Sequence, residues 1–182
     1  MHTAITIREA SDEDMPDVEA VLTDAFGGQE EAGLVTALLD DPGASPTLSL
    51  VAQSGETILG HILFSRASLG DSPRTIQASI LAPLAVATRA QGQGIGGKLI
   101  QEGLKRLARR DVELVFVLGY PAYYTRHGFR PAFPLGFVPP YPIPDKDADA
   151  WMVQALKPDV TGPLQGRVVC ADALDKAEYW RE

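Results

Sequence analysis

QGQGIGGKL, residues 91–99, satisfies three phosphate-binding patterns at once. From Gly92 it reads G-x-G-x-x-G, through Gly94 and Gly97. From Gly92 to Lys98 it reads G-x-x-x-x-G-K. From Gln91 it reads Q-x-x-G-x-G, through Gly94 and Gly96. The three patterns go with a dinucleotide, a nucleoside triphosphate and the pyrophosphate of an acyl-carrying coenzyme.

The loop runs directly into a helix. From Gly94 to Arg110 the apolar residues Ile95, Leu99, Ile100, Leu104, Leu107 and Ala108 recur at helical spacing, with Gly103 among them. Glycine-rich backbone at a helix N-terminus presents free N–H groups and the positive end of the helix dipole, which together favour an anion. A tight turn alone needs one or two glycines, and here four fall within six residues.

The flanking residues separate the three patterns. A dinucleotide motif places its first glycine at the end of the first strand, with several βα units behind it. Here Thr88 to Gln91 intervene, earlier strands have already passed, and the remaining chain is short and rich in proline. A triphosphate loop needs Ser or Thr after the lysine to bind magnesium. Leu99 stands there, on the apolar face of the helix. The coenzyme pattern meets no such objection.

Working outward, ITIREA alternates as a strand with Ile5 and Ile7 on one face. SDEDMPDVEAVLTDAF predicts a helix capped by Ser11 or Asp12, with Met15, Val18, Leu22, Ala25 and Phe26 inward and Gly27-Gly28 as its stop. EEAGLVTALLDD predicts a second helix with Leu34, Val35, Leu38 and Leu39 inward. TLSLVAQ and TILGHILFSRASL form a hairpin across SGE. TIQASILAPLAVAT is a further strand, and Pro83 marks an edge or a bulge in it. VELVFVLG is apolar throughout, as in a strand covered on both faces. PAYYTRHGF predicts a short helix and turn. RPAFPLGFVPPYPIPDK predicts an ordered loop in which Phe133, Phe137 and Tyr141 are buried, and WMVQAL and GRVVCA could close the sheet. The order β-α-α-β-β-β-α-β-α-β is an α/β mixture, and 182 residues without a linker predict a single domain, 1–182.

With 45% hydrophobic and 22% charged residues the chain is ordinary for a globular protein. A net charge of −8 argues against nucleic acid and tilts toward cationic amines. MHTAITIREA lacks the apolar core of a signal peptide, no run is long enough to span a membrane, and Cys170 has no partner for a disulfide, so the expected location is cytoplasmic. RVVCA predicts a buried, inert thiol at Cys170. His2, His61 and His127 are far apart, and no metal site is expected.

Several of these stretches resemble the GCN5-related N-acetyltransferase (GNAT) superfamily. Q-x-x-G-x-G is similar to its pyrophosphate loop, LAPLAVATRAQGQGIGGKLI to its fourth strand and following helix, and YYTRHGF to the tyrosine and Gly-Phe pair that close its core. FGGQEEAGLVTALL, VAQSGETILGHILFS and LGYPAYYTRHGFRPA resemble its YhbS-type branch. The resemblance implies an α/β GNAT fold: a mixed, mostly antiparallel sheet whose fourth and fifth strands splay, with a core at residues 3–131 and a C-terminal loop and strands at 132–182. It implies acetyl-CoA as co-substrate and an amine as acceptor, with homodimers common among relatives. By its pattern the backbone of Leu84, Ala85 and Val86 holds the pantothenate arm and the thioester, and Gln91, Gly92, Gln93, Gly94, Ile95, Gly96 and Gly97 hold the pyrophosphate. Tyr124, four residues before Gly128-Phe129, matches the general acid in preference to Tyr123. Many members carry an asparagine seven residues before that tyrosine; this chain has none, and Gly119-Tyr120-Pro121 occupies the region.

Residue chemistry leaves the rest open. Arg89 or Lys98 is a phosphate contact or a solvated charge. Glu30, Glu31 and His61 are the candidate bases, with capping and core packing as the competing explanations. The acceptor is expected between the first two helices and the loop from Phe133 to Tyr141. The leading reading is an acetyl-CoA-dependent N-acetyltransferase; the alternative is a non-catalytic acyl-CoA-binding or sensing module, which would need neither Tyr124 nor the Leu84–Val86 backbone.

Overall fold

Residues 4–180 are described by the computed structural model; His2 and residue 3, the expected start of the core, lie outside them. In chain order come β1 (Ile5–Glu9), α1 (Met15–Phe26), α2 (Glu30–Asp40), β2 (Leu48–Ser54), β3 (Thr57–Leu69), β4 (Ala78–Val86), α3 (Ile95–Arg109), β5 (Leu114–Leu118) and α4 (Pro121–Tyr124). Next are the two-residue strands β6 (Arg130–Pro131) and β7 (Phe137–Val138), then β8 (Trp151–Ala155) and β9 (Gly166–Cys170).

The sheet runs β1-β2-β3-β4-β5-β8-β6, and β9 joins the edge of β3 that β2 leaves uncovered. It is antiparallel except between β4 and β5, which are joined by the α3 crossover, and between β7 and β9. Period-two alternation sends successive side chains of β5 to opposite faces. Leu114 and Phe116 pack with α1 and α2, and Val115 and Val117 pack with α3. This explains the unbroken apolar run of that strand.

Local chemistry accounts for the helix ends. Before α1, Ser11 opens a 3-10 turn, and Asp14 accepts from the Ser11 backbone N–H at 2.7 Å while holding Arg8 through two bonds of 2.7 and 2.8 Å. Gly27 closes α1 at φ 75°, a left-handed conformation that glycine adopts without strain. Three residues expected inward lie at the surface instead: Phe26, Leu39 and Ala108. Each sits at the border of its helix's apolar stripe, where helical spacing cannot say how far the partner layer extends.

The proline-rich segment differs from a plain loop. It contributes β6 and β7, and Pro131 is tolerated because β6 is the sheet's terminal strand, where a missing N–H costs no ladder bond. Phe137 is fully buried edge-on to Phe116, with centroids 5.3 Å apart, whereas Phe133 is exposed. Trp151 stacks on Phe116 at 5.2 Å and packs against Trp180 at 5.5 Å. Those aromatic contacts fasten the C-terminal segment to the core. Cys170 is half-buried rather than fully buried, and burial pushes its thiol up to about 12, so it is unreactive near neutral pH.

Candidate active site

Pro83 sits in a bulge. Ile62 faces Leu84 and Phe64 faces Leu81, so Ala82 and Pro83 together oppose Leu63 alone. Beyond this point β4 and β5 part: their pairing covers only Ala78–Ile80 with Leu114–Phe116, although β5 continues to Leu118. The Ala87 N–H donates to Leu59 O at 2.8 Å, and antiparallel bonding groups alternate along a strand. The backbone of Ala85 therefore faces β3, and that of Leu84 and Val86 faces the gap. Val86 O is met there by the Gln91 side chain, whose Nε2 donates at 3.0 Å.

The gap joins two cavities. One, of about 490 Å³, is lined by Leu84, Val86, Gln91, Gly92, Gly94, Ile95, Gly96 and Gly97 on one side and by Tyr123, Arg126 and His127 on the other. The second, of about 670 Å³, lies between α2, the splayed strands and the C-terminal segment, and Tyr124 lines it. Leu84 and Tyr123 belong to both. The side chains of Ala85 and Gln93 do not line the first cavity: Ala85 is buried beneath the sheet, and Gln93 projects outward.

The four glycines have two distinct reasons. Gly92 and Gly94 have φ of 79° and 82°, which lets the loop curl before α3 begins. Gly96 and Gly97 lie on the helix, where a side chain would collide with the far wall. A Cβ on Gly96 would meet the Tyr123 hydroxyl, and one on Gly97 would come within 2.8 Å of His127 Cε1. Gly119 similarly makes room for the Tyr124 ring.

Arg126 lies over the Tyr123 ring, 5.4 Å from its centroid, and is the cation on the loop cavity. Arg89 lines a separate cavity beside Asp17 and Asp24, and Lys98 is exposed off the lining. Residue pattern alone gives no sign of Arg126 and His127 as site residues. They come after α4 in a 3-10 turn closed by Gly128, and only that turn aims them at α3. Asp24 shapes the loop from behind, accepting the Thr88 N–H at 2.7 Å.

The second cavity sorts the remaining candidates. Tyr124 is almost wholly buried, edge-on to Tyr123 and Phe129, and burial raises its phenol well above the ordinary tyrosine value. Glu30 and Glu31 line the cleft. His61 does not. It is fully buried, with Nε2 2.9 Å from Ser49 Oγ, and burial lowers it to about 4. The expected loop from Phe133 to Tyr141 is absent from the lining; Leu174, Glu178 and Tyr179 stand there instead. Among the described residues no group of three or more His, Cys, Asp or Glu could hold a metal, and no helix is long and apolar enough to cross a membrane.

Residues 6–132 match the family described as acetyltransferase (GNAT) domain. The chain belongs to the GNAT acetyltransferase family. Among its GNAT relatives, the uncharacterized N-acetyltransferase YjhQ of Escherichia coli (strain K12) is 44% identical over 160 residues, covering 87% of this chain and 88% of YjhQ. The uncharacterized N-acetyltransferase YhbS of the same strain is 37% identical over 117 residues, 64% of this chain and 68% of YhbS. The crystal structure of the GNAT protein YhbS from Escherichia coli in complex with CoA aligns with a TM-score of 0.87 at 29% identity, covering 97% of this chain and 94% of that one. A GNAT acetyltransferase from Brucella melitensis in complex with acetyl-CoA aligns at 0.75 and 32% identity, covering 96% and 100%. This GNAT chain is thus an acetyltransferase, and its likeness to the YhbS structure runs through the C-terminal segment as well as the core.

Proposed function

We propose that the protein transfers the acetyl group of acetyl-CoA to a primary amine of a small molecule or peptide by direct attack. The observation that carries this reading is the splay of β4 from β5. It leaves the backbone of Leu84 and the N–H of Val86 unpaired by β5 along a path from the glycine loop to Tyr124, with Val86 O held by the Gln91 side chain. The CoA-bound and acetyl-CoA-bound relatives support the choice of donor.

In this reading residues 91–97 hold the pyrophosphate on backbone N–H groups at the positive end of α3, and Arg126 adds a charge beside them. The pantetheine arm pairs with the free edge of β4 as an added strand. A backbone N–H of the Leu84–Val86 segment polarises the thioester carbonyl, an interaction worth about 3 kcal/mol of barrier.

The amine nitrogen, freed of its proton, attacks the carbonyl carbon; the C–N bond forms and the C–S bond breaks. The ammonium gives its first proton to solvent before attack, and as the C–N bond forms a cleft carboxylate, Glu30 or Glu31, takes the second from nitrogen directly or through water. The departing sulfur takes a proton from Tyr124, which regains one from solvent. The raised value of Tyr124 keeps it protonated throughout the neutral range, as a donor requires. The protein acts as a single acyltransferase domain, with residues 132–182 supplying part of the acceptor wall.

The test is release of free thiol from acetyl-CoA by the purified protein across a panel of amines, with Tyr124→Phe alongside. Release that depends on an amine and falls in the variant supports the mechanism. Tight acetyl-CoA binding without amine-dependent release from any acceptor would instead favour a sensing module.

A further inference from the structure

The cleft beyond Tyr124 has a definite chemical character. Three carboxylates, Glu30, Glu31 and Glu178, line it, and no described lysine, arginine or histidine does. None of the three is in an ion pair among the described residues. They come from two elements far apart in sequence, the start of α2 and the C-terminal 3-10 turn. They line the same cleft as Tyr179, whose phenol is pushed up by burial and then by the negative charge of Glu178, Glu30 and Glu31. Aromatic faces complete the lining: Phe26 at the end of α1, Tyr120 before α4, and Tyr179. Phe26 is 44% exposed and Tyr120 78% exposed, so both present ring surface to an incoming molecule.

The wall carrying Glu178 is built to stay in place. Trp180 is buried against Trp151, and its Nε1 donates to Leu174 O at 3.0 Å. The Ala173 N–H donates to Asp41 Oδ2 at 3.0 Å, tying the segment to the end of α2. Tyr141 Oη donates to Asp175 O at 3.1 Å.

Resting on the acetyltransferase reading, we propose that the acceptor is a diamine-type cation: a primary amine whose apolar body carries a second positive charge and no carboxylate. One amine reaches the thioester beside Tyr124. The other is held at the cleft mouth by Glu178 with whichever of Glu30 and Glu31 does not take the reacting amine's proton, and the hydrocarbon between them lies on the aromatic faces. Carboxylates and ring faces both attract organic cations. A free amino acid is disfavoured because its carboxylate would enter a cleft that holds three carboxylates and no described cation to receive it.

The experiment uses three probes of one length: 1,5-diaminopentane, pentylamine and 5-aminopentanoate. Their binding to the full-length protein loaded with CoA is measured by calorimetry, so that no turnover is needed. The expected order is diamine tightest, by about tenfold over pentylamine, with aminopentanoate weakest. Glu178→Gln is expected to shrink the diamine preference by about threefold or more, and raised salt to shrink it further. Asp111→Asn controls for overall charge. Asp111 lies before the start of β5, at the opposite end of that strand from the cleft, and its φ of 63° suits asparagine. That variant is expected to keep the preference.

A diamine that binds no better than pentylamine, or an equal preference in Glu178→Gln, overturns the proposal. The two readings fail separately. CoA binding without diamine preference rejects only the acceptor class. Diamine preference without CoA binding rejects the acetyltransfer reading and leaves the cleft's selectivity standing.

Discussion

The Tyr123 hydroxyl occupies the space that a Cβ on Gly96 would take. The first turn of α3 and the α4 segment are thereby locked together across the mouth of the loop cavity. Gly96→Ala must push Tyr123 aside, although alanine itself is the better helix former. We expect acetyl-CoA affinity to fall about tenfold, with the loss partly recovered in Gly96→Ala/Tyr123→Phe, where the colliding oxygen is gone. Equilibrium titration of acetyl-CoA against the four proteins of this cycle measures the coupling. Additive losses would show that the two positions act independently.

Tyr124→Phe keeps the ring that packs against Phe129 and removes only the hydroxyl proposed as the proton donor. The expected outcome is a fall in kcat of about a hundredfold, with acetyl-CoA affinity within about twofold of the parent. Single-turnover kinetics with saturating donor separates the two quantities. An unchanged kcat would transfer the acid role elsewhere, with Tyr123 the first candidate.

Gly103 supports the fold from the far side of α3. A Cβ there would collide with the Phe64 ring, which is fully buried between the helix and the sheet. Gly103→Ala is therefore expected to destabilise the protein by about 1–3 kcal/mol through overpacking, despite its gain in helix propensity. Thermal unfolding should show a drop of several degrees, on the order of 3 °C per kcal/mol for a chain of this size. A stabilised variant would mean that Phe64 moves freely.

His61 makes stability depend on pH. Its folded value is depressed to about 4 by burial, against 6.5 for a free imidazole. Between these values the unfolded chain takes up a proton and the folded protein does not. Stability is therefore lost as pH falls from 6.5 toward about 4, by up to roughly 3 kcal/mol. The carboxylates of Asp14 and Glu113, lowered by hydrogen bonds from Arg8 and Arg74, add losses at the acid end of the range. Urea titrations at stepped pH should show this slope in the parent and a flatter curve above pH 5 in His61→Gln, which keeps a polar partner for Ser49.

Much of the architecture was legible in residue pattern, and for a local reason. Strand and helix periods, the caps at Ser11 and Gly27, and the bulge at Pro83 depend on neighbours within a few residues, which a sequence displays directly. The glycine loop and its helix were readable for the same reason, since both are built from consecutive residues. What lay beyond reach depended on contacts across the chain. Helical spacing could not decide that Phe26 faces a cleft, because the burial of a border residue is set by its partner layer. Nor could spacing show that Arg126 and His127 meet α3 while Arg89 turns to another cavity. The wall of the second cavity is the clearest case: Glu178 and Tyr179 join Glu30 and Glu31 because Trp180 packs on Trp151 and the Ala173–Asp41 and Tyr141–Asp175 bonds hold the C-terminal segment across the cleft. The chain's own order determined its elements and its glycine loop; which side chains share the second cavity was decided by tertiary packing, which brings together residues that no local pattern connects.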